Sequence, residues 1–380
     1  MNLFNVYSKY EVTPVKGKGS YVYDKNNTQY LDFYGGHAVI SIGHSHPHFI
    51  EKISDQLHQL AFYSNAVPND LQKELAHKLG KGSGLQDYQL FLCNSGAEAN
   101  ENALKIASFQ TQKSKIIAFK NAFHGRTSAV VNATDNPKIK APINKTYEVE
   151  FHDWNQLATV EQSLQKEDVC AVIVEGIQGI GGVHLADVDF LEGLETLCKQ
   201  HGAMLILDEI QSGYGRSGHF FAFQKANIQP HLITMAKGMG NGFPIGGVLI
   251  HPSIEAWPGM LGSTFGGSHL ACAAGIAVLD IIKEEDLLQN AKAMHQLLIK
   301  DLAALEGVKE VRAEGLMIGL EMEYSSAALR KHLLYQKQVF TGSSSCPNTL
   351  RLLPPLSITE KEVSIFLEKI HSSIPQTQYA

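Results

Sequence analysis

The sequence predicts an α/β protein, with a mostly parallel central sheet in a large domain and a smaller α+β domain assembled from the two flanks. Three observations carry this. Between about Gln89 and Ile250, short apolar runs alternate with longer amphipathic ones, the pattern of strands joined by crossover helices. The apolar runs are rich in Val, Ile and Leu without polar alternation, as in strands covered on both faces. Outside that window the pattern changes to a short antiparallel element before it and to helices with short strands after it.

Taken in order, SYVYDKNNTQYLDFYG reads as two strands around a turn at Lys25–Asn27. In the run Gly43-His44-Ser45-His46-Pro47-His48, the proline suits the first turn of a helix. Three alternating histidines could ligate a metal, but H-x-H-x-H needs further ligands, so a helix start is expected here and no metal. The central strands are expected at Tyr88–Cys93, Lys115–Phe119, Val169–Glu175, Ala203–Asp208, Leu232–Ala236 and Gly247–His251. After the first of them, Ser95 and Glu98 fit the S-x-x-E capping box of a helix that continues through Ala103, Leu104 and Ala107. The glycines of Gly238–Gly242 superficially match a dinucleotide fingerprint. They lead through Phe243-Pro244 into a strand instead of opening a helix, which argues against a nicotinamide-dependent dehydrogenase. A long helical pattern from Leu270 to about Leu305 then leads into the α+β tail, and no repeat of solenoid or propeller period is visible. The expected division is 1–45 for the N-terminal part of the small domain, 46–270 for the large domain and 271–380 for the remainder of the small one.

Composition narrows the function. At about 150 residues per domain, 380 residues make two or three domains with a sizeable core. Apolar residues make up 44% and charged residues 18%, an ordinary folded composition. Spanning a bilayer takes about 18 apolar residues in a row, and runs such as AMLILDEIQ are cut short by charge, so no membrane role is expected. The 32 basic against 38 acidic side chains give a net charge of −6 with no basic cluster, so no nucleic-acid partner is expected and small molecules are. Five scattered cysteines (Cys93, Cys170, Cys198, Cys272, Cys346) form no C-x-x-C pair and read as buried thiols. With a first segment lacking a basic and an apolar region, they point to the cytoplasm.

The chemistry lies at strand ends, where open α/β sheets bind ligands. Asp208 closes AMLILDE and Lys237 closes LITMAK. A carboxylate or amine so placed costs desolvation energy unless it meets a partner, and a structural salt bridge is one reading of the pair. The other is pyridoxal phosphate. That cofactor needs a lysine amine for its aldehyde, an aspartate to keep its pyridine nitrogen protonated, and a helix N-terminus for its phosphate, which the turn at Ser95, Gly96 and Ala97 can provide.

FLCNSGAEANENALKIA, NAFHGRTSA, VEGIQGIGGV, LILDEIQSGYGRSG, ITMAKGMGNGFPIGG, STFGGSHLACAAG and LRLLPPL resemble, in order and spacing, the motifs of class III aminotransferases, from about Val15 to Ile358. Among these the chain is most similar to the N-acetylornithine aminotransferases, with ornithine aminotransferases close. The resemblance implies the type I pyridoxal-phosphate transferase fold. It implies that Lys237 holds the cofactor and shuttles the proton, that Asp208 partners the pyridine nitrogen and that Gln211 lies near the phenolic oxygen. It places Ser95, Gly96 and Ala97 at the phosphate, where relatives usually have threonine at position 97, and Phe123 on the cofactor ring. Arg126 would grip the substrate α-carboxylate. Ser263 and Thr264 would reach a neighbouring subunit's site, Thr264 at the phosphate, which implies a homodimer with shared active sites. Arg351 would bind the α-carboxylate of glutamate, and His37 lies where relatives vary with specificity.

The implied reaction moves the terminal amino group of N2-acetyl-L-ornithine, or another N-acylornithine, to 2-oxoglutarate, giving N-acetylglutamate semialdehyde and glutamate in arginine biosynthesis. Ornithine or 4-aminobutyrate transamination is the alternative. A non-catalytic binding protein on the same fold would have lost Lys237 or Asp208, and both are present. One position departs from the family: relatives carry a glutamate that screens the second arginine, and this chain has Ile180.

Overall fold

A seven-stranded sheet runs through the middle of the computed structural model, which describes residues 1–374. Three short strands precede it, β1 (Pro14–Lys18), β2 (Tyr21–Asp24) and β3 (Gln29–Asp32). The sheet's first four members are β4 (Gln89–Cys93), β5 (Lys115–Phe119), β6 (Val149–His152) and β7 (Val169–Glu175). After a small hairpin of β8 (Ile177–Gln178) and β9 (His184–Leu185) come β10 (Met204–Asp208), β11 (Leu232–Met235) and β12 (Gly246–Ile250). The order across the sheet is β4-β12-β11-β10-β7-β5-β6, and only β12 runs against its neighbours.

The absence of polar alternation has a visible cause. In β7, Val172 and Val174 enter one apolar core while Ala171 and Ile173 enter another; in β10, Leu205 and Leu207 face the first and Ile206 the second. Successive side chains point to opposite faces, so a strand buried on both must be apolar at every position. Each such valine, leucine or isoleucine side chain removed from water stabilises the fold by about 1.5–3 kcal/mol. The edge strand β6 was missed because VEFH is half polar and only partly buried, with too few apolar residues to read as a core strand.

The N-terminal turn forms as expected: Asp24 Oδ1 accepts from the amides of Asn26 and Thr28, and Asn27 takes the left-handed conformation at φ 64°. Pro47 opens the helix Pro47–Gln59. The long helical pattern is two helices, His269–Glu284 and Leu287–Ala303, separated at Asp286, whose φ is 49°. Both helices bury apolar faces in the same core, so the periodicity continues across a break that it does not reveal.

The flanks meet. Downstream lie β13 (Val308–Glu314), β14 (Met317–Met322), β15 (Val339–Phe340), β16 (Gly342–Ser343) and β17 (Thr349–Leu352). β15 pairs in parallel with β3, completing a sheet β1-β2-β3-β15, while β13-β14-β17-β16 form a second one. Phe33 stacks on Phe366 at 3.8 Å between ring centroids, tying the segment after β3 to the helix Glu360–His371.

Candidate active site

Parallel register brings three strand ends together. Asp208 pairs with Glu175 across β10 and β7 and with Thr234 across β10 and β11, and Lys237 follows two residues after β11. β4 ends on the same side, so the turn Asn94-Ser95 and the helix Gly96–Thr111 start there as well. The result is a cavity of about 400 Å³ lined by Ser95, Gly96, Ala97, Phe123, Arg126 and Ile180, and by Asp208, Gln211 and Lys237. It thus gathers most of the residues singled out in the sequence.

The helix start differs in one bond from the expected capping box. Ser95 Oγ accepts from the Glu98 amide at 3.2 Å, but the Glu98 carboxylate turns to the backbone and side-chain nitrogens of Asn94, at 2.6 and 2.9 Å. Glu98 thereby fixes the residue before the cap, and the Gly96 and Ala97 amides remain as donors that no helical carbonyl can reach. Gly96 is required by space, since a Cβ there would stand 2.8 Å from Ile210.

Asp208 is held by a network that sequence reasoning missed. Its Oδ2 accepts from Asn100 Nδ2 at 2.7 Å and from His124 Nδ1 at 2.8 Å, and its Oδ1 from the Ile210 amide at 3.1 Å. A carboxylate only accepts, so Nδ1 carries the proton of the His124 bond. Asn100 also donates to the His124 carbonyl at 2.8 Å and accepts from Thr234 Oγ1 at 2.7 Å, which spans four elements with one buried side chain. Nothing marked Asn100 in the sequence beyond a polar residue on an otherwise apolar helix face. Glu175, also missed, accepts from the amides of Phe123 at 3.1 Å and Gly179 at 2.9 Å. Burial pushes its carboxyl pKa up.

Lys237 sits at φ 46°, in the left-handed region that ordinary residues avoid. Burial lowers the pKa of its amine, against the opposing pull of Asp208 and Glu175. Arg126 is exposed at the cavity mouth. Arg351 lies behind Gln211: its Nε donates to the Ser343 carbonyl at 2.6 Å and its Nη1 to Gln211 Oε1 at 3.1 Å. Gln211 Nε2 in turn donates to the His37 carbonyl at 3.0 Å, so His37 contributes its backbone to this cluster. The His37 ring contacts the Tyr34 hydroxyl. It is held down to about 4 by desolvation and by Arg351 and Lys237, and so is neutral near pH 7.

Ser263 and Thr264 do not line the cavity. Ser263 Oγ accepts from Asn94 Nδ2 at 3.1 Å, behind the helix start, and Thr264 is exposed. In the histidine run, His44 pairs with Asp32 and His46 with Glu285, each at 2.8 Å. No cluster suited to a metal occurs among the described residues.

The architecture and sequence are both shared with known proteins. The model of the aminotransferase class III family matches residues 5–374. Acetylornithine aminotransferase of Bacillus subtilis (strain 168) is 40% identical over 380 residues, covering 98% of this chain and 97% of that one. The crystal structure of acetylornithine aminotransferase from Elizabethkingia anophelis superposes with a TM-score of 0.85 at 30% identity, over 98% and 96% of the two chains. An ornithine aminotransferase from Toxoplasma gondii, with partial occupancy of pyridoxal phosphate at its active site, gives a TM-score of 0.90 at 29% identity over 98% and 92%. With a cavity at the carboxyl ends of its strands and a match over nearly its whole length, the chain belongs to the class III aminotransferases, enzymes dependent on pyridoxal phosphate.

Proposed function

We propose that the enzyme transfers the terminal amino group of N2-acetyl-L-ornithine, or another N-acylornithine, to 2-oxoglutarate. The observation that carries this is the meeting of Lys237, Asp208, Arg126 and the amide-bearing helix start in one cavity. The names of the similar acetylornithine aminotransferases support the substrate, and those of the ornithine aminotransferases the alternative. The residues fit pyridoxal phosphate: two free amides and Ser95 for the phosphate, Phe123 for the ring, the anchored Asp208 for the pyridine nitrogen, Gln211 for the phenolic oxygen and Lys237 for the aldehyde. Bound there, the cofactor supplies an electron sink for the carbon that loses its proton.

The protein's own groups do the rest. Desolvation keeps the Lys237 amine closer to its neutral, nucleophilic form, able to take a proton from the reacting carbon and return it. Asn100 and His124 hold Asp208 in one orientation, so its charge is in place before any ligand arrives. Arg126 pairs with the α-carboxylate in two parallel hydrogen bonds, setting the amine at the far end of the donor toward Lys237. Arg351 takes the α-carboxylate of the glutamate formed from the acceptor.

The assembly we propose is a homodimer. Ser263 and Thr264 lie outside their own cavity, beside the exposed aromatic residues Phe62, Tyr63 and Phe265, an apolar surface suited to a second copy that would bring Thr264 to that copy's phosphate site. A division at 1–45, 46–270 and 271–380 is consistent with the β3–β15 pairing between the flanks. No described helix is long and apolar enough to cross a membrane, and all five cysteines are free; a cytoplasmic location is proposed with them. The test is the release of glutamate from 2-oxoglutarate with each candidate donor: failure with every N-acylornithine would reject the substrate reading.

A further inference from the structure

Lys237 and Asn241, four residues apart, both take the left-handed conformation, each at φ 46°. Such a backbone persists only where the surroundings over-determine it. The bonds of the turn itself do not. Lys237–Met239 is a single 3-10 turn, in which the Met239 amide donates to the Ala236 carbonyl at 2.9 Å and the Gly240 amide to the Lys237 carbonyl at 3.0 Å. Turns of either hand make bonds of this spacing, so they leave the φ of Lys237 undecided.

The constraint comes from the N-terminal flank, 200 positions away in sequence. Asn241 Oδ1 accepts from the amides of Ser41 at 2.8 Å and Ile42 at 3.1 Å, and its Nδ2 donates to the Gly43 carbonyl at 2.9 Å. In return, Ser41 Oγ donates at 2.8 Å to the carbonyl of Gly238, the residue after Lys237. Asn241, Ser41 and Ile42 are all buried, so water does not readily replace these bonds. Glycine would tolerate φ 46° as well, but only asparagine adds a side chain that reaches three backbone groups. The stretch that receives them is anchored away from the cavity. The Leu356 amide donates to the Ser41 carbonyl at 2.7 Å, Arg216 Nη2 donates to the Ile40 carbonyl at 3.4 Å, and His44 and Gly19 exchange both backbone bonds. Just upstream, the same stretch delivers Val39 to the cavity wall and the His37 carbonyl to Gln211.

We propose that Asn241, together with Ser41, is a positioning residue for transamination: it clamps the Lys237 turn to the N-terminal flank and so holds the lysine in the backbone conformation that serves the cavity. This rests on the reading of the cavity as the transamination site. The charges that act on the lysine, Asp208, Glu175 and Arg351, belong to other elements and keep their places when the clamp is removed. Arg126 and Arg351 still bind the substrates. A looser turn therefore impairs the proton transfer done by Lys237 and lowers kcat with little change in KM.

The test compares variants of the holoenzyme. Asn241→Gly keeps a residue at ease in the left-handed region and deletes all three side-chain bonds, whereas Ser41→Ala deletes only the bond to Gly238. Ser20→Ala is the control: it loosens the same flank elsewhere, where Ser20 Oγ donates to Glu362 Oε2 at 3.2 Å. Asn241→Gly should lower kcat at least about tenfold with KM for donor and acceptor within about twofold, and Ser41→Ala should lower kcat about threefold. The bound cofactor's absorbance is also titrated with pH, since its midpoint follows the proton on the Lys237 nitrogen. That midpoint should rise by about half a unit or more in Asn241→Gly and by less in Ser41→Ala, because a relaxed turn admits water to a nitrogen whose burial disfavours the proton. Ser20→Ala should lower the midpoint of thermal unfolding and change neither kcat nor the pH midpoint. Wild-type kcat and pH midpoint in Asn241→Gly and Ser41→Ala overturn the proposal, as does an equal change in Ser20→Ala. Should Asn241→Gly fail to fold, Ser41→Ala decides by the same two measurements. If the pH midpoint moves as expected while the wild type transaminates no donor, the functional reading fails and the clamp on Lys237 stands.

Discussion

Replacing Asn100 by alanine removes three hydrogen bonds with one side chain, and the structure sets the size of the effect. The bond from Nδ2 to the Asp208 carboxylate, 2.7 Å long, involves a charged acceptor and contributes about 2 kcal/mol. The bonds to the His124 carbonyl and from the Thr234 hydroxyl join neutral groups and contribute about 1 kcal/mol each. Asn100 and Thr234 are wholly buried, so water cannot readily replace what is lost, and the variant should lose about 4 kcal/mol of unfolding free energy. Thr234→Val deletes only one of the three and should lose about 1 kcal/mol. Urea unfolding followed by circular dichroism at one fixed protein concentration measures both. Cofactor release should accelerate at least about tenfold in Asn100→Ala, the equivalent of 1.4 kcal/mol, because Asp208 is no longer held in one position. If Asn100→Ala costs less than about 1 kcal/mol, or no more than Thr234→Val, the network does not hold Asp208 as argued.

Lys237→Ala should keep the circular dichroism spectrum of the wild type and lose turnover, since among the described residues no other amine lines the cavity; retained multiple turnover would sink the assignment of Lys237. Light scattering should find a dimer that loses cofactor as it dissociates, and a fully active monomer at assay concentration would contradict the shared-site reading of Thr264. Acetylornithine and succinylornithine should exceed ornithine and 4-aminobutyrate in kcat/KM. Ile180→Glu should shift the ranking among donors by up to about tenfold, because it screens Arg351 during the donor half-reaction. An unchanged ranking would show that the charge at position 180 does not act on donor choice.

Much of this protein was legible in the chain itself. The buried strands β5, β7, β10 and β11 announce themselves because each must be apolar on both faces, and the ends of two of them deliver Asp208 and Lys237 to one edge by parallel pairing, where the end of β7 adds Glu175, which the sequence did not mark as part of a site. Ser95 and Gly96 could be read as a helix start because capping is a local interaction among residues three apart. What only the tertiary structure decided are contacts between residues far apart in sequence. Asn100 anchors Asp208 across 108 positions, and Gln211 covers Arg351 across 140. β3 pairs with β15, and a half-polar β6 closes the sheet's edge. The reason is physical: a periodic apolar pattern reports which face of an element is buried, whereas the partner of a buried polar atom is chosen by where several elements happen to converge, and no local spacing encodes that.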